Sequence, residues 1–330
     1  MTRLSKLLLA AVCLALSASA AAADTYPNRP VKVIVPYAPG GATDIVARIV
    51  GDAFAKVTGQ QFVVINKPGA FGMLAIEEMA KAAPDGYTLM VGNVSTNAIT
   101  PILYKSKLPF DYNKEVTAVT RLVDVPAFLV VTTANDFPVK SVKDLVAYAK
   151  KHPGEVRYGT VGVGSYPHYD MAYFAKRAGN VDMVALANKN GASGVIQDMI
   201  RGDAQASFLN VASTAGMVKA SKLRPVALVN HERLKDYPDL PTMDEVGFKG
   251  VGTIAWQGLF APAATPKPVL DKIYAAVTKA LQSPDVAAKF GKQHFNIVPN
   301  KSPADAQAWL AGEMKHWQTI TQEVKLNLPK

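Results

Sequence analysis

The amino-acid sequence predicts an α/β protein built from two units. Short apolar runs rich in Val, Ile and Phe alternate with segments of helical periodicity, the pattern typical of alternating strands and helices. A glycine-rich loop follows a predicted strand twice, once in each half of the chain. The 330 residues exceed what one hydrophobic core usually organises, about 250 to 300 residues. We therefore expect two α/β units, with a cleft where their loops face each other.

Several apolar runs carry the strand pattern, because each is short, rich in β-branched or aromatic residues and bounded by turn residues. They are residues 31–35, 62–65, 88–91, 128–131, 156–158, 183–187 and 226–229. The helices are marked at their ends. Apolar residues recur on one face from Ile45 to Val57, and Gly59 follows as a stop signal. Ser141 and Ser302 each have an Asp three residues later, the pattern of a residue that caps a helix.

The chain is basic, with 36 Lys and Arg against 26 Asp and Glu and a formal net charge of +10. The basic residues stand singly or in pairs, and no run approaches the basic stretches of about 5 to 8 residues that bind polyanions. We expect a solvated cationic surface and no nucleic-acid partner.

Residues 1–23 have the pattern of a secretory signal peptide. Arg3 and Lys6 precede an apolar stretch over residues 7–16, and small residues follow as far as Ala23. That stretch is too short to span a bilayer as a helix, which needs about 20 residues. Cleavage would remove both basic residues and lower the formal charge from +10 to +8. It would also remove Cys13, the single cysteine, so disulfides and thiol chemistry are excluded from the exported chain.

The first glycine loop, residues 39–44, has features of an anion site. Gly40 and Gly41 let the backbone approach a ligand closely, and a helix beginning near Thr43 directs free N–H groups at the loop. An ordinary tight turn explains the same residues. Asp44 is favoured at a helix start whatever the function. It either caps the helix or receives an ammonium or hydroxyl group of a ligand.

The second glycine loop, residues 159–165, leads into another helix start that contains Tyr166 and His168. Ser165 offers an O–H and an N–H, donors that suit a carboxylate. The glycine spacing differs from that of the dinucleotide-binding fingerprint. No G-x-S-x-G nucleophile motif and no H-E-x-x-H metal motif occurs. A dispersed triad that uses Ser165 or Ser95 with His168 stays open, because sequence order does not fix geometry.

Several segments in one order resemble the Bug, or tripartite tricarboxylate transporter, family of periplasmic solute-binding proteins. They are residues 26–44 (YPNRPVKVIVPYAPGGATD), 66–70 (NKPGA), 83–89 (APDGYTL), 162–168 (GVGSYPH), 238–242 (PDLPT) and 256–262 (WQGLFAP). The resemblance implies a two-lobed periplasmic-binding-protein fold of the Venus-flytrap kind, similar to type II, with a mixed sheet flanked by helices in each lobe. It also implies a periplasmic protein that closes on a small carboxylate in the interlobe cleft.

The resemblance implies ligand contacts from loops of both lobes, and it implies no catalytic residue, metal or cofactor. The expected ligand-binding residues are Tyr37, Pro39, Gly40, Gly41, Ala42, Thr43, Asp44, Phe71, Asn93, Ser95, Thr96, Gly164, Ser165, Tyr166, His168, Asn188 and Asn210. The first lobe is expected over residues 24–124 plus 230–330, and the second over 125–229. The implied partner of a monomeric closed form is a membrane transporter of the tripartite tricarboxylate type, with a signalling partner as the alternative.

Three departures from the family pattern concern ligand identity. Bulky Phe71 and Met73 stand where the family commonly has a polar Asn among small residues. Asn188 begins a segment that is usually Tyr-Lys-Gly, and Asn210 replaces a frequent Asp that helps to hold ordered water. An Asn changes the polarity of those hydrogen bonds. Phe71, Tyr166 and Trp256 either flank an aromatic acid or pack in a core or hinge.

Overall fold

The computed structural model describes residues 26–188 and 190–326. The predicted signal peptide, residues 1–23, lies outside the described residues. The strands are β1 Val31–Val35, β2 Phe62–Asn66, β3 Thr88–Asn93, β4 Val116–Val125, β5 Ala127–Thr132, β6 Arg157–Thr160, β7 Val184–Ala187, β8 Ala206–Asn210, β9 Leu223–Val229, β10 Ala255–Pro262 and β11 Asn296–Ile297.

Eleven α-helices occur within the described ranges. They are α1 Ala42–Thr58, α2 Met73–Ala80, α3 Thr100–Leu103, α4 Tyr112–Glu115, α5 Val142–Lys151, α6 Tyr166–Arg177, α7 Gly191–Arg201, α8 Val211–Lys219, α9 Lys267–Leu281, α10 Pro284–Gly291 and α11 Pro303–Glu323. A 3₁₀ turn, Ala70–Gly72, precedes α2, and a π turn, Ser95–Ile99, follows β3. No described helix is long and apolar enough to cross a membrane.

The helix ends follow from the sequence signals. Helix α1 stops at Gly59, whose φ of 75° is the left-handed conformation that glycine adopts at little cost. Ser141 caps α5 by accepting the backbone N–H of Asp144. Ser302 caps α11 in the same way through Asp305. The predicted boundaries of these helices are confirmed.

The strands form two mixed sheets. The first has the order β11-β4-β10-β3-β1-β2, with β1 parallel to β2 and β3 and with β10 antiparallel to both β3 and β4. The second has the order β7-β6-β8-β5-β9, with β6 parallel to β7 and β8 and with β5 antiparallel to β8 and β9. The chain crosses from the first sheet to the second at Pro126, between β4 and β5.

After strand β9 the chain stays with the second sheet for about 20 residues before it returns to the first sheet. Met243 and Val251 are buried in the core of the second sheet, and Leu228 donates its N–H to the carbonyl of Pro241. The next strand of the first sheet begins at Ala255. The division into lobes at residues 124 and 230 stays a prediction, and from this packing we propose a second boundary near residue 252.

Helix α6 belongs to both cores. Tyr166 and Tyr169 are buried in the apolar cluster of the first sheet. Met171 and Phe174, further along the same helix, are buried in a cluster of the second sheet. The N-terminal end of α6 is therefore held against the first lobe, near the turn that follows β3.

A substitution at Gly92 tests the close approach of β3 and the π turn. A Cβ added to Gly92 would lie 1.8 Å from Oδ1 of Asn97, whose Nδ2 donates to Tyr112. We expect Gly92→Ala to lower the free energy of unfolding by about 1–3 kcal/mol, because a full core does not accept a further methyl group. Urea denaturation followed by circular dichroism measures the change.

The control is Gly312→Ala on the exposed face of α11, where an added Cβ meets no atom within 4 Å. This variant should be more stable by about 0.5–1 kcal/mol, because alanine has the higher helix propensity. A Gly92→Ala protein as stable as the wild type would contradict the packing described for β3.

Candidate functional site

The first glycine loop is open to solvent where β1 leads into α1. A Cβ added to Gly40 or Gly41 meets no atom within 4 Å. Gly40 has a φ of 88°, whereas Gly41 is extended and stands at the N-cap of α1 without a side-chain hydrogen bond. The first-turn N–H groups of α1, which carry the positive end of the helix dipole, are therefore available beside an accessible loop.

Asp44 is turned inward, with 3% of its surface exposed. Its carboxylate accepts the N–H of Gly40 at 3.0 Å, Nη2 of Arg48 at 2.9 Å and Nδ2 of Asn66 at 2.9 Å. Burial acts to raise the pKa of Asp44, but the hydrogen bonds from Arg48, Gly40 and Asn66 outweigh it and lower the pKa overall. Asp44 thus closes the glycine loop, and Arg48 compensates its charge.

Asn93, at the end of β3, links the loops of the first lobe. Its Oδ1 accepts the hydroxyl of Tyr37 at 2.9 Å and the N–H of Thr96 at 3.2 Å. Its Nδ2 donates to Oγ1 of Thr43 at 3.3 Å. The hydroxyls of Tyr37 and Thr96 are 2.6 Å apart. Burial raises the pKa of Tyr37 despite these hydrogen bonds, so the phenol stays protonated.

Hydrogen bonds of the Ser165 and Thr160 hydroxyls hold the second glycine loop. Ser165 donates from Oγ to the carbonyl of Gly162 at 2.7 Å, and its Oγ lies 2.9 Å from Oγ1 of Thr160. Gly162 and Gly164 have φ values of 136° and 79°, conformations that favour glycine. The loop therefore keeps a fixed shape at the N-terminus of α6.

His168 is buried and uncharged. Its Nδ1 accepts the N–H of Gly164 at 3.2 Å, which places the ring proton on Nε2. Burial lowers its pKa to about 4. Among the described residues, no hydrogen bond joins the hydroxyl of Ser165 or Ser95 to the His168 imidazole, so the geometry gives no support to a Ser–His nucleophile.

The two lobes meet at Ser95 and Tyr166. Ser95 Oγ accepts the N–H of Tyr166 at 3.2 Å, and the Tyr166 hydroxyl donates to Oδ1 of Asn210 at 2.8 Å. Burial raises the pKa of Tyr166 far above its usual value, so this group also stays neutral. Polar groups of Tyr37, Asn93, Ser95, Tyr166 and Asn210 thus line one region between the lobes, which we call the interlobe cleft.

Two other predicted contacts have different surroundings. Asn188 donates from Nδ2 to Asp198 at 2.7 Å and accepts the N–H of Asn190 at 2.9 Å, so its side chain fastens the start of α7. Phe71 is 42% exposed and stacks on Tyr104 with a centroid distance of 4.7 Å. Its neighbour Gly72 packs against the Thr96 side chain, so the Phe71 turn borders the interlobe cleft. The ligand contacts assigned to Asn188 and Phe71 stay predictions.

Trp256 lies in a core and not in the interlobe cleft. It is 2% exposed, donates from Nε1 to Glu313 at 2.7 Å and packs edge-on against Trp309. It borders a separate cavity of about 440 Å³ that is lined by both sheets. Asp170, on α6, faces this cavity, and burial raises its pKa to about 7 although Thr253 donates two hydrogen bonds to it.

Gln257 is a buried polar residue beside the site that the sequence candidates omit. It lies on β10 directly opposite Asn93 and is 1% exposed. The signal in the sequence is one amide inside an otherwise apolar strand. No group of three or more His, Cys, Asp or Glu in the described part of the chain is placed to hold a metal ion.

The depressed pKa of His168 predicts an acid-dependent loss of stability. The unfolded chain binds a proton near pH 6.5 and the folded chain only near pH 4, so stability falls as the pH drops between these values. Between pH 7 and pH 5, His168 should lower the free energy of unfolding of the wild-type protein by on the order of 2 kcal/mol. We expect His168→Asn, which keeps an acceptor for the Gly164 N–H, to remove this loss.

Urea denaturation of both proteins at the two pH values measures this difference. Asp170 has the opposite effect on stability. Its raised pKa means that the folded state binds a proton at a higher pH than the unfolded chain does, so this group stabilises the fold as the pH falls. The comparison between variant and wild type cancels that contribution. Equal losses in the two proteins would contradict a buried neutral His168.

The chain matches known proteins over almost its whole length. Residues 46–326 match the tripartite tricarboxylate transporter family receptor. A UPF0065 protein of Bordetella pertussis is 30% identical over 320 residues, with 96% of each chain covered. Protein BugT of the same organism is 29% identical over 328 residues, with 99% of each covered.

Three solved structures have the same two-lobed fold. The periplasmic binding protein BugD is 29% identical, with a TM-score of 0.81 and 91% of this chain and 98% of that chain covered. A Rhodopseudomonas palustris protein with adipate is 29% identical, with a TM-score of 0.83 and 91% of this chain and 98% of that chain covered. MatC of that organism, with bound malate, is 29% identical, with a TM-score of 0.79 and 89% of this chain and 99% of that chain covered. The predicted fold class and the resemblance to the Bug family are confirmed. The chain belongs to the tripartite tricarboxylate transporter receptor family.

Proposed function

We propose that this chain is a periplasmic binding protein that captures a small carboxylate in the interlobe cleft. Its family consists of solute-binding proteins, and the chain is a binding protein and not an enzyme. The observation that carries the proposal is the open first glycine loop at the uncapped N-terminus of α1. A carboxylate placed there accepts backbone N–H groups at the positive end of a helix dipole.

The donors of the interlobe cleft are neutral. Thr43 and Ser95 each use their oxygen to accept a hydrogen bond, which leaves the hydroxyl proton for a ligand. His168 carries its remaining proton on Nε2, because Nδ1 accepts from Gly164. These groups supply donors from both lobes without a buried cation, so the cleft does not carry the desolvation cost of an unpaired charge.

The similar structures support the ligand class. One is bound to adipate and another to malate, and both ligands are small dicarboxylates. The loops that face the interlobe cleft here are those at the carboxyl ends of strands β1, β3, β6 and β8, where ligands of α/β sheets bind.

Closure of the lobes is the proposed mechanism. A ligand that contacts α1 in one lobe and α6 in the other favours the closed arrangement by its differential affinity for that arrangement. The closed protein would then deliver the ligand to a membrane transporter of the tripartite tricarboxylate type, as the family membership suggests.

A substitution at Gly41 tests the glycine loop. The residue is extended and its absent side chain points to open space, so valine fits the protein but occupies the place proposed for the ligand. We expect Gly41→Val to weaken carboxylate binding by more than about tenfold, a loss of 1.4 kcal/mol or more, with only a small fall in the urea midpoint, because valine is a poorer N-cap residue than glycine. Isothermal titration calorimetry measures the affinity.

The matched control is Gly291→Val, at the exposed end of α10, where an added Cβ also meets no atom within 4 Å. This variant should bind as the wild type does. Gly164 is a less suitable test position, because its φ of 79° makes any β-branched residue strained. Full affinity in Gly41→Val would place the site elsewhere.

The class of function is tested with a panel of carboxylates. We expect adipate, malate or a related acid to raise the melting temperature of the purified protein, because a ligand that binds only the folded state stabilises it. Mass spectrometry should recover that ligand unchanged. Turnover of the ligand, or no stabilisation by any carboxylate, would contradict the proposal.

A further inference from the structure

Gln257 lies beside Asn93 under the interlobe cleft. The two residues are directly opposed in the antiparallel pairing of β10 with β3, so their side chains project from the same face of the sheet. The Asn93 amide contacts Tyr37, Thr43 and Thr96 in the cleft. The amide of Gln257 is therefore directed towards the same polar region.

The Gln257 side chain contains a buried acceptor without a partner. Its Oε1 is enclosed by protein, and no residue that the structure describes donates a hydrogen bond to it. A buried carbonyl oxygen that has lost its hydrogen bonds to water costs free energy unless another donor replaces them. A donor supplied by a bound ligand would recover that loss.

The neighbouring amide oxygens already accept hydrogen bonds, whereas Gln257 Oε1 accepts none from the residues that the structure describes. Asn93 Oδ1 already accepts from Tyr37 and Thr96, and Asn210 Oδ1 accepts from Tyr166. The free groups of Thr43 and Ser95 are hydroxyl protons. The interlobe cleft thus offers several donors, which suit carboxylate oxygens, and one buried acceptor, which suits a hydroxyl group.

We propose that Gln257 is a specificity-determining residue whose Oε1 accepts a hydrogen bond from a hydroxyl of the ligand. The preferred ligand class is then a hydroxycarboxylate, held by its carboxylate at α1 and distinguished by its hydroxyl at β10. The inference rests on the proposed carboxylate-binding function. A carboxylate without the hydroxyl leaves Oε1 buried and unpaired and binds more weakly.

Calorimetric titrations with two matched ligand pairs test the inference on the wild-type protein. The pairs are malate with succinate, and 2-hydroxyglutarate with glutarate, which differ only in the hydroxyl. We expect the hydroxylated member of at least one pair to bind about tenfold or more tightly. If succinate and glutarate both bind as well as their hydroxylated partners, the role of Gln257 is overturned while carboxylate binding stands.

Gln257→Met keeps the length of the side chain and removes the acceptor. We expect this variant to lose the preference, so that the two members of a pair bind within about twofold, with little change for the unhydroxylated acid. Gln318→Met, on the exposed face of α11, is the control and should keep the wild-type ratio. A wild-type ratio in Gln257→Met would show that Gln257 is only structural.

Gln257→Asn is a second variant, because it keeps an amide but withdraws it by one methylene from the cleft. It should lose the hydroxyl preference like Gln257→Met, and a retained preference in a folded Gln257→Asn protein would count against the inference. If none of the four acids binds the wild-type protein but another carboxylate of the panel does, the inference fails and the proposed function stands; if no carboxylate binds, both fail. These outcomes separate the two claims.

Discussion

The burial of one helix in two cores is the interaction on which the rest of the site depends. Tyr166 and Tyr169 of α6 pack into the first lobe, and Met171 and Phe174 pack into the second. Because its apolar residues are shared, α6 holds its own N-terminus at the turn after β3, where Ser95 accepts the N–H of Tyr166. The two glycine loops face one region for this reason. The proposed closure of the lobes would take place across the same contact.

The anion site proposed for this basic protein consists of uncharged groups. The one carboxylate of the first glycine loop, Asp44, is buried against Arg48 and Asn66, so its charge is compensated within the lobe. The raised pKa of Tyr37 and the lowered pKa of His168 keep both side chains neutral at physiological pH. In the proposed function, binding depends on the orientation of N–H and O–H donors that the fold holds in place.

Local signals predicted much of the fold and less of the site. The β-branched runs of β1 and β9 and the cap residues Ser141 and Ser302 act over a few residues, and these elements are where the sequence predicts them. Strands β4, β8, β10 and β11 were not predicted as strands. Strands β4 and β10 pair with each other across more than 120 residues, and Gly258 interrupts the apolar pattern of β10.

The side-chain partners at the site depend on tertiary packing and have no local signal. One partner of Asp44 is Asn66, which lies at the end of the neighbouring strand β2. Gln257 approaches Asn93 only through the antiparallel pairing of β10 with β3. Trp256, one residue earlier, points to the opposite face and packs against Trp309.

The central claim, that backbone N–H groups of α1 bind the carboxylate, is tested most directly by amide resonances of the ¹⁵N-labelled protein. On saturation with the most stabilising acid, the account predicts downfield shifts and slower exchange for the amide protons of Gly41, Ala42 and Thr43. Gly40, whose N–H already donates to Asp44, should change least. Ligand saturation that leaves the first turn of α1 unchanged would contradict the account.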